Sequence, residues 1–269
     1  MKIRKSWGGT LTSSPSRNPR WKPSYALIWT NAAAARFLAE ISPYLRVKSK
    51  QAVVLHQFVQ HLQNCRRRRD RRGRLLPLSV EQRNVREAFY RRLKDLNRKG
   101  PPSDRPQHSG IRNSRPPSVE YLAGFVDAEG CLRLTKVHFA GWNPQYGARV
   151  QLSNTNRMVL EHVQRTFGGI LTYQSSRRFG WKDSYQLVWT GRRVEPLLVA
   201  VEPFLQIKRR HARIVMRFIG HRRKTHQRRA GRFFGHLPKP VIAYRERLYQ
   251  RLRKLNAKGP PSRRAKTET

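Results

Sequence analysis

Apolar and polar positions alternate strictly over residues 148–153, with Val150 and Leu152 on one face and Arg149, Gln151 and Ser153 on the other. A period of two marks a half-buried strand, so this stretch predicts a strand with an apolar inner face and a polar, basic outer one. Residues 131–137 alternate in the same way, and residues 171–175 and 184–190 predict two further strands. Between these pairs the period lengthens. Asn154 or Asn156 can cap a helix that runs to Phe167, buries Met158, Val159 and Val163, and stops at Gly168 and Gly169. Residues 194–201 predict another helix, with Pro203 beyond its end, and a longer one begins near Lys208 and carries Ala212, Ile214, Val215 and Phe218.

Ahead of the first strand, residues 121–130 read YLAGFVDAEG. Gly124 and Ala128 stand four apart on one helical face, a spacing of small residues that lets two helix backbones approach closely. Ser118 is placed as the N-cap, Glu120 suits the positive end and Gly130 suits the stop. Asp127 and Glu129 lie in the last turn, against the negative end of the helix dipole, where a nearby cation would reverse an unfavourable interaction. The order is helix, two strands, helix, two strands, helices, which is an α+β layer.

Much of this pattern occurs twice. Residues 7–12 (WGGTLT) match 167–172 (FGGILT), residues 21–30 (WKPSYALIWT) match 181–190 (WKDSYQLVWT), and residues 43–48 (PYLRVK) match 203–208 (PFLQIK), each pair 160 positions apart. Residues 96–103 (LNRKGPPS) match 255–262 (LNAKGPPS) at 159. Two copies are too few for a solenoid and indicate a duplicated domain forming a pseudo-dimer. The Arg- and Ser-rich residues 1–20 resemble a transit peptide, but their match to the second copy assigns them to the repeat. The counterpart of Tyr121 would fall about forty positions before Met1, so the first copy is expected to lack its first helix and first two strands. The expected division is 1–99 for the shortened first repeat, 100–118 for a Pro-, Ser- and Gly-rich linker, 119–263 for the complete repeat and 264–269 for a basic tail.

Lys and Arg number 58 against 15 Asp and Glu, a formal charge of +43. Such self-repulsion calls for a polyanionic partner, and the basic runs within 66–74 and 209–232 suit phosphate contact or a solvated helix face. No apolar run approaches the roughly 18 residues of a membrane span, and no signal-peptide core is present, so a membrane partner and secretion are not expected. Cys65 and Cys131 lie in unlike contexts and read as free thiols of a reducing compartment, bacterial cytoplasm or an organelle. The repeat-matched Trp21, Trp29, Trp181 and Trp189 read as packing residues before base-stacking ones.

The string LAGFVDAEG, residues 122–130, resembles the signature of the LAGLIDADG homing endonucleases. The resemblance, extended by the repeat over nearly the whole chain, implies duplicated αββαββα domains related by a pseudo-two-fold axis, with Gly124, Ala128 and Asp127 at a junction of signature helices. It implies site-specific hydrolysis of double-stranded DNA with Mg²⁺, held by Glu129 and the carbonyl of Ala128. Lys208, and Lys48 at the matching place in the first copy, correspond to the family's lysine beyond the proline-bounded helix; Gln151 is a further catalytic candidate. Asp127 is expected to make helix-end hydrogen bonds. A two-stranded ribbon fits the major groove, so Arg133, Arg149, Gln151, Ser153, Gln174, Arg177, Arg178, Lys182 and Gln186 are candidate base readers. In the family each site draws on two signature acids, and this chain supplies one. Two alternatives therefore stay open: a maturase-like protein that binds intron RNA, and a DNA-binding remnant without activity. For the shortened first copy three explanations stand: an upstream segment carries the other signature helix, the chain is a decayed or fragmentary enzyme, or two chains pair as a homodimer through their single signature helices.

Overall fold

Ser118 accepts a hydrogen bond from the backbone N–H of Tyr121 at 3.2 Å and so starts the signature helix, as its sequence position predicts. In the computed structural model, which describes residues 6–15, 23–65, 70–74, 76–97, 117–175, 183–227 and 237–257, the elements are β1 (Thr10–Ser14), β2 (Ser24–Ile28), α1 (Asn31–Ile41), α2 (Ser49–Asn64), α3 (Val80–Leu96), α4 (Val119–Glu129), β3 (Gly130–Val137), β4 (Gln145–Asn154), α5 (Arg157–Phe167), β5 (Ile170–Gln174), β6 (Ser184–Thr190), α6 (Val194–Val201), α7 (Arg209–Gln227) and α8 (Lys239–Asn256). The chain divides into two compact units, Met1–Gly100 and Pro101–Thr269. No helix among the described residues is long and apolar enough to cross a membrane.

In the second unit the antiparallel strands stand in the order β3-β4-β6-β5. The alternating sequence dictates its two faces. Leu132, Leu134, Ala148, Val150, Leu152, Leu187 and Trp189 are buried on one face, where α5, α6, α7 and α8 supply Val159, Leu160, Val163, Leu197, Leu198, Val215, Phe218 and Leu252. Asn156 is the residue that caps α5, its side chain accepting from the N–H of Val159 at 3.3 Å; Asn154 instead accepts from the N–H of Asn156. The unit extends beyond αββαββα: α7 and α8 follow, and α8 is tied to the sheet by Asn256, which donates to the carbonyl of Leu132 at 2.9 Å.

In the first unit β1 and β2 form a two-stranded antiparallel sheet, followed by α1, α2 and α3. Trp29 Nε1 donates to the carbonyl of Trp7 and Trp189 Nε1 to that of Phe167, both at 2.9 Å. Gly9 and Gly169, at φ +95° and +102°, leave the space that each indole occupies: a Cβ at either would lie about 3.0 Å from the ring. Trp29 and Trp189 thus pack and hydrogen-bond within the fold; Trp21 and Trp181 lie outside the described residues.

Candidate functional site

The signature helix α4 ends where β3 begins, because Gly130 passes so close to Val126 that a Cβ there would run into the Val126 carbonyl oxygen. Two reciprocal contacts hold this end in place. The Asp127 carboxylate accepts from the backbone N–H groups of Gln206 at 2.7 Å, Ile207 at 3.1 Å and Lys208 at 2.8 Å, just ahead of α7. In return Lys208 Nζ donates to the carbonyls of Val126 at 3.0 Å and Asp127 at 2.5 Å, the last turn of α4. An anion thus satisfies three donors in the turn that leads into one helix and a cation two carbonyls at the end of the other. Burial pulls the pKa of Lys208 below the usual lysine range, while Asp127, Cys131 and Glu129 pull it upward.

Asp127 accordingly faces the 206–208 turn and makes the helix-end hydrogen bonds expected of it. Gly124 and Ala128 are exposed, and a Cβ at Gly124 would meet nothing within 4 Å. Tyr121 and Phe125 stack on the same helix, with ring centroids 6.2 Å apart. The carboxylate of Glu129 is exposed and makes neither a hydrogen bond nor an ion pair with the described residues. Cys131 follows on β3, exposed and directly opposite Gln151 of β4.

The outer face of the sheet gathers the candidate readers. Arg133 stands opposite Arg149, Ser153 opposite Gln186, and Thr172 opposite Gln186 on its other side. Arg149 Nη2 donates to Gln151 Oε1 at 3.2 Å, Gln151 Nε2 donates to Ser153 Oγ at 3.1 Å, and Gln186 Nε2 donates to Gln174 Oε1 at 2.6 Å. Arg177, Arg178 and Lys182 lie outside the described residues, as do Arg66–Arg69 of the first basic run and most of the expected linker and tail.

Lys48 takes the position of Lys208 in the first unit but meets different groups: its Nζ donates to Asn97 Oδ1 at 3.2 Å. Asn97 is the repeat counterpart of Asn256, which in the second unit reaches the Leu132 carbonyl. Among the described residues the first unit has no strand equivalent to β3, so Asn97 turns to Lys48 and Gln51 instead. The repeated Leu-Asn pair was the sequence signal for this anchor.

A second cluster escapes sequence reading altogether. Lys136 pairs with Glu246 of α8 at 2.8 Å, Tyr146 donates its hydroxyl to the same carboxylate, and Gln250 adds a bond at 2.7 Å. Hydrogen bonds from Lys136 and Tyr146 hold Glu246 down to about 2, and burial together with Glu246 pushes Tyr146 up to about 12.

No family model matches the chain. It is 32% identical over 103 residues to the DNA endonuclease I-CvuI of Chlorella vulgaris, a match covering 37% of this chain and 62% of that one. Its structure is similar to that of the I-SmaMI LAGLIDADG homing endonuclease bound to cleaved DNA, with a TM-score of 0.63, 14% identity and coverage of 94% and 81% of the two chains. The similarity to I-SmaMI bound to an uncleaved DNA target in the presence of calcium ions has a TM-score of 0.64, 12% identity, and coverage of 94% and 82%. In sequence the chain is thus similar to part of a DNA endonuclease, and in fold it is similar to a LAGLIDADG homing endonuclease.

Proposed function

We propose that the chain works as a site-specific endonuclease on double-stranded DNA, of the kind encoded within introns or inteins, in a bacterial cytoplasm or an organelle. The carrying observation is that α4 delivers Glu129, a carboxylate without a hydrogen bond or ion pair among the described residues, to the end of a sheet whose outer face is polar and basic. That face lies on duplex DNA, with phosphates neutralised by the surrounding Lys and Arg and base edges met by Arg133, Arg149, Gln151, Ser153, Gln174 and Gln186. In the relatives, I-CvuI is named a DNA endonuclease and I-SmaMI was solved on its DNA target with calcium ions.

A divalent cation, Mg²⁺ in this reading, fits Glu129 with the Ala128 carbonyl beside it: the carboxylate is exposed and unspent. Among the described residues no group of three or more His, Cys, Asp and Glu gathers, which suits an ion that takes one or two carboxylates and fills its remaining positions with water and substrate phosphate. Bound there, it neutralises phosphate charge and makes water a better nucleophile. Lys208 keeps Glu129 in place by closing the end of α4 and adds positive charge beside the scissile phosphate. Gln151, opposite Cys131, stands on the strand next to this end and positions water or a base edge. Lys48 is the corresponding cation of the first repeat. A second acid comes from a second signature helix against the open Gly124 and Ala128 face, carried by an upstream segment or by a second copy of the chain.

The test is cleavage of duplex DNA carrying the target, in Mg²⁺, by the assembled parent and its Glu129→Gln variant. The variant should bind at least as tightly, having lost one negative charge, and cut slower by orders of magnitude. Parental cutting by the variant removes Glu129 from the reaction. The formal charge of +43 also suits the maturase-like reading; an assembled parent that never cuts but protects an intron transcript without metal decides for it.

A further inference from the structure

The side chains on the outer face of β4 are already joined to one another. Arg149 Nη2 donates to Gln151 Oε1 and Gln151 Nε2 to Ser153 Oγ, a ladder running along one strand. Its cost is visible. Arg149 lies directly opposite Arg133 in the β3–β4 register, a like-charged pair that disfavours the hairpin, and no carboxylate forms an ion pair with either among the described residues. Arg149 Nε is shielded from solvent and has no hydrogen-bond partner among the described residues. The face is therefore poised for an electronegative partner that the described residues do not provide.

The ladder also fixes what each member has left to offer. Gln151 keeps one lone pair on Oε1 and one N–H on Nε2, the combination that the N6 amino group and N7 of adenine take up. Arg149 keeps the remaining hydrogens of its guanidinium fork, which match O6 and N7 of guanine. Side chains two apart on a strand are separated by about 6.6 Å, close to two base-pair steps of 3.4 Å each. Gln151 cannot turn to another base without giving up Arg149, and Arg149 cannot reach elsewhere without releasing Gln151.

We propose that Arg149 and Gln151 act as one coupled reading unit, selecting a guanine and an adenine two base pairs apart, while Arg133, outside the ladder, reads independently. This rests on the duplex-DNA reading above and adds to it a sequence preference and its physical origin.

The experiment is selection of bound duplexes from a randomised pool by the full chain, repeated with Arg149→Lys, Arg149→Ala, Gln151→Ala, Arg133→Ala and the Arg149→Ala/Gln151→Ala double variant. The parent should enrich guanine and adenine at this spacing. Either Arg149 variant should lose discrimination at both positions, by roughly 10- to 100-fold at the guanine, and the double variant should lose little more at the adenine than Arg149→Ala alone. Arg133→Ala should relax one other position and leave this pair intact. Arg149→Lys preserves the charge, so a loss shared with Arg149→Ala cannot be assigned to weakened phosphate attraction. Enrichment of a sequence in which the Arg149 and Gln151 penalties fall on separate positions and multiply overturns the coupling while leaving the DNA-binding proposal standing. No enrichment of any duplex by the parent overturns both.

Discussion

Trp29 and Trp189 make the same hydrogen bond in unequal surroundings. Each donates to a carbonyl 22 residues earlier at 2.9 Å, yet Trp189 is 0% exposed and Trp29 is half-buried. The same holds for Leu187, at 0%, and half-buried Leu27. In the second unit β6 is paired on both sides, by β5 and by β4, whereas in the first unit β2 is paired only with β1 among the described residues. Tyr25 and Ile28 on that strand are 65% and 46% exposed. Local sequence therefore reproduces local geometry in both copies, but the closed core of the second comes from the α4, β3 and β4 segment laid against β6 and α6.

The largest effect expected from this difference is on the two tryptophans. Trp189→Ala should cost about 3–5 kcal/mol. Trp29→Ala should cost about 1–2 kcal/mol, since it forfeits less buried area, although it also loses stacking on Phe37. Denaturant titration followed by probes placed in each unit measures both; equal costs would break the comparison. Amide exchange sharpens it, with β2 exchanging near its unprotected rate and β6 strongly protected.

Next is the lock between α8 and the β3–β4 hairpin, which needs strands found only in the second unit among the described residues. Glu246 titrates at about 2, below its reference of 4.5, because Lys136 and Tyr146 bind its charged form. A depressed acid contributes stability that is full above pH 4.5 and lost as pH falls toward 2. Glu246→Gln should cost about 1–2 kcal/mol at neutral pH and flatten that part of the stability profile of the second unit. An unchanged acid limb would show that the cluster contributes nothing to folding.

Asp127→Ala should follow, at about 1 kcal/mol, by stripping the acceptor from three N–H groups ahead of α7. The equivalent helix α2 starts at Lys48 with no side-chain cap, so it loses nothing by this route. Thermal unfolding of the second unit reads the change, and no shift would mean that water replaces the carboxylate without penalty. The smallest effect belongs to Lys48→Ala, within about 0.5 kcal/mol as expected for an exposed site. A larger loss would give Lys48 a structural role that its single bond to Asn97 does not explain.

Strand alternation and helix periods were legible because each depends on residues within a few positions of one another. The bounds of α6 fall at 194 and 201 and those of β6 at 184 and 190, as the pattern predicts. The outer-face placement of Arg133, Arg149, Gln151, Ser153, Gln174 and Gln186 is set by parity along each strand together with antiparallel register, and only the register required the fold. The acidic end of the signature was readable as a place that called for a cation. Which cation answered was not, since Lys208 lies 81 residues from Asp127 in the chain.

The sequence by itself determined the duplication, the alternating faces, the start and stop of the signature helix and the overwhelming positive charge, all of which follow from local stereochemistry, internal likeness or simple counting. Tertiary structure alone decided that Asp127 and Lys208 meet, that Glu129 has no hydrogen bond or ion pair among the described residues, that Arg149 leans on Gln151, and that Asn97 and Asn256 serve different partners. Each of these depends on which strand or helix end arrives beside a given side chain. Matching short sequences cannot encode that, because hydrogen bonds and burial are fixed by neighbours distant in the chain, and among the described residues the two copies do not have the same neighbours.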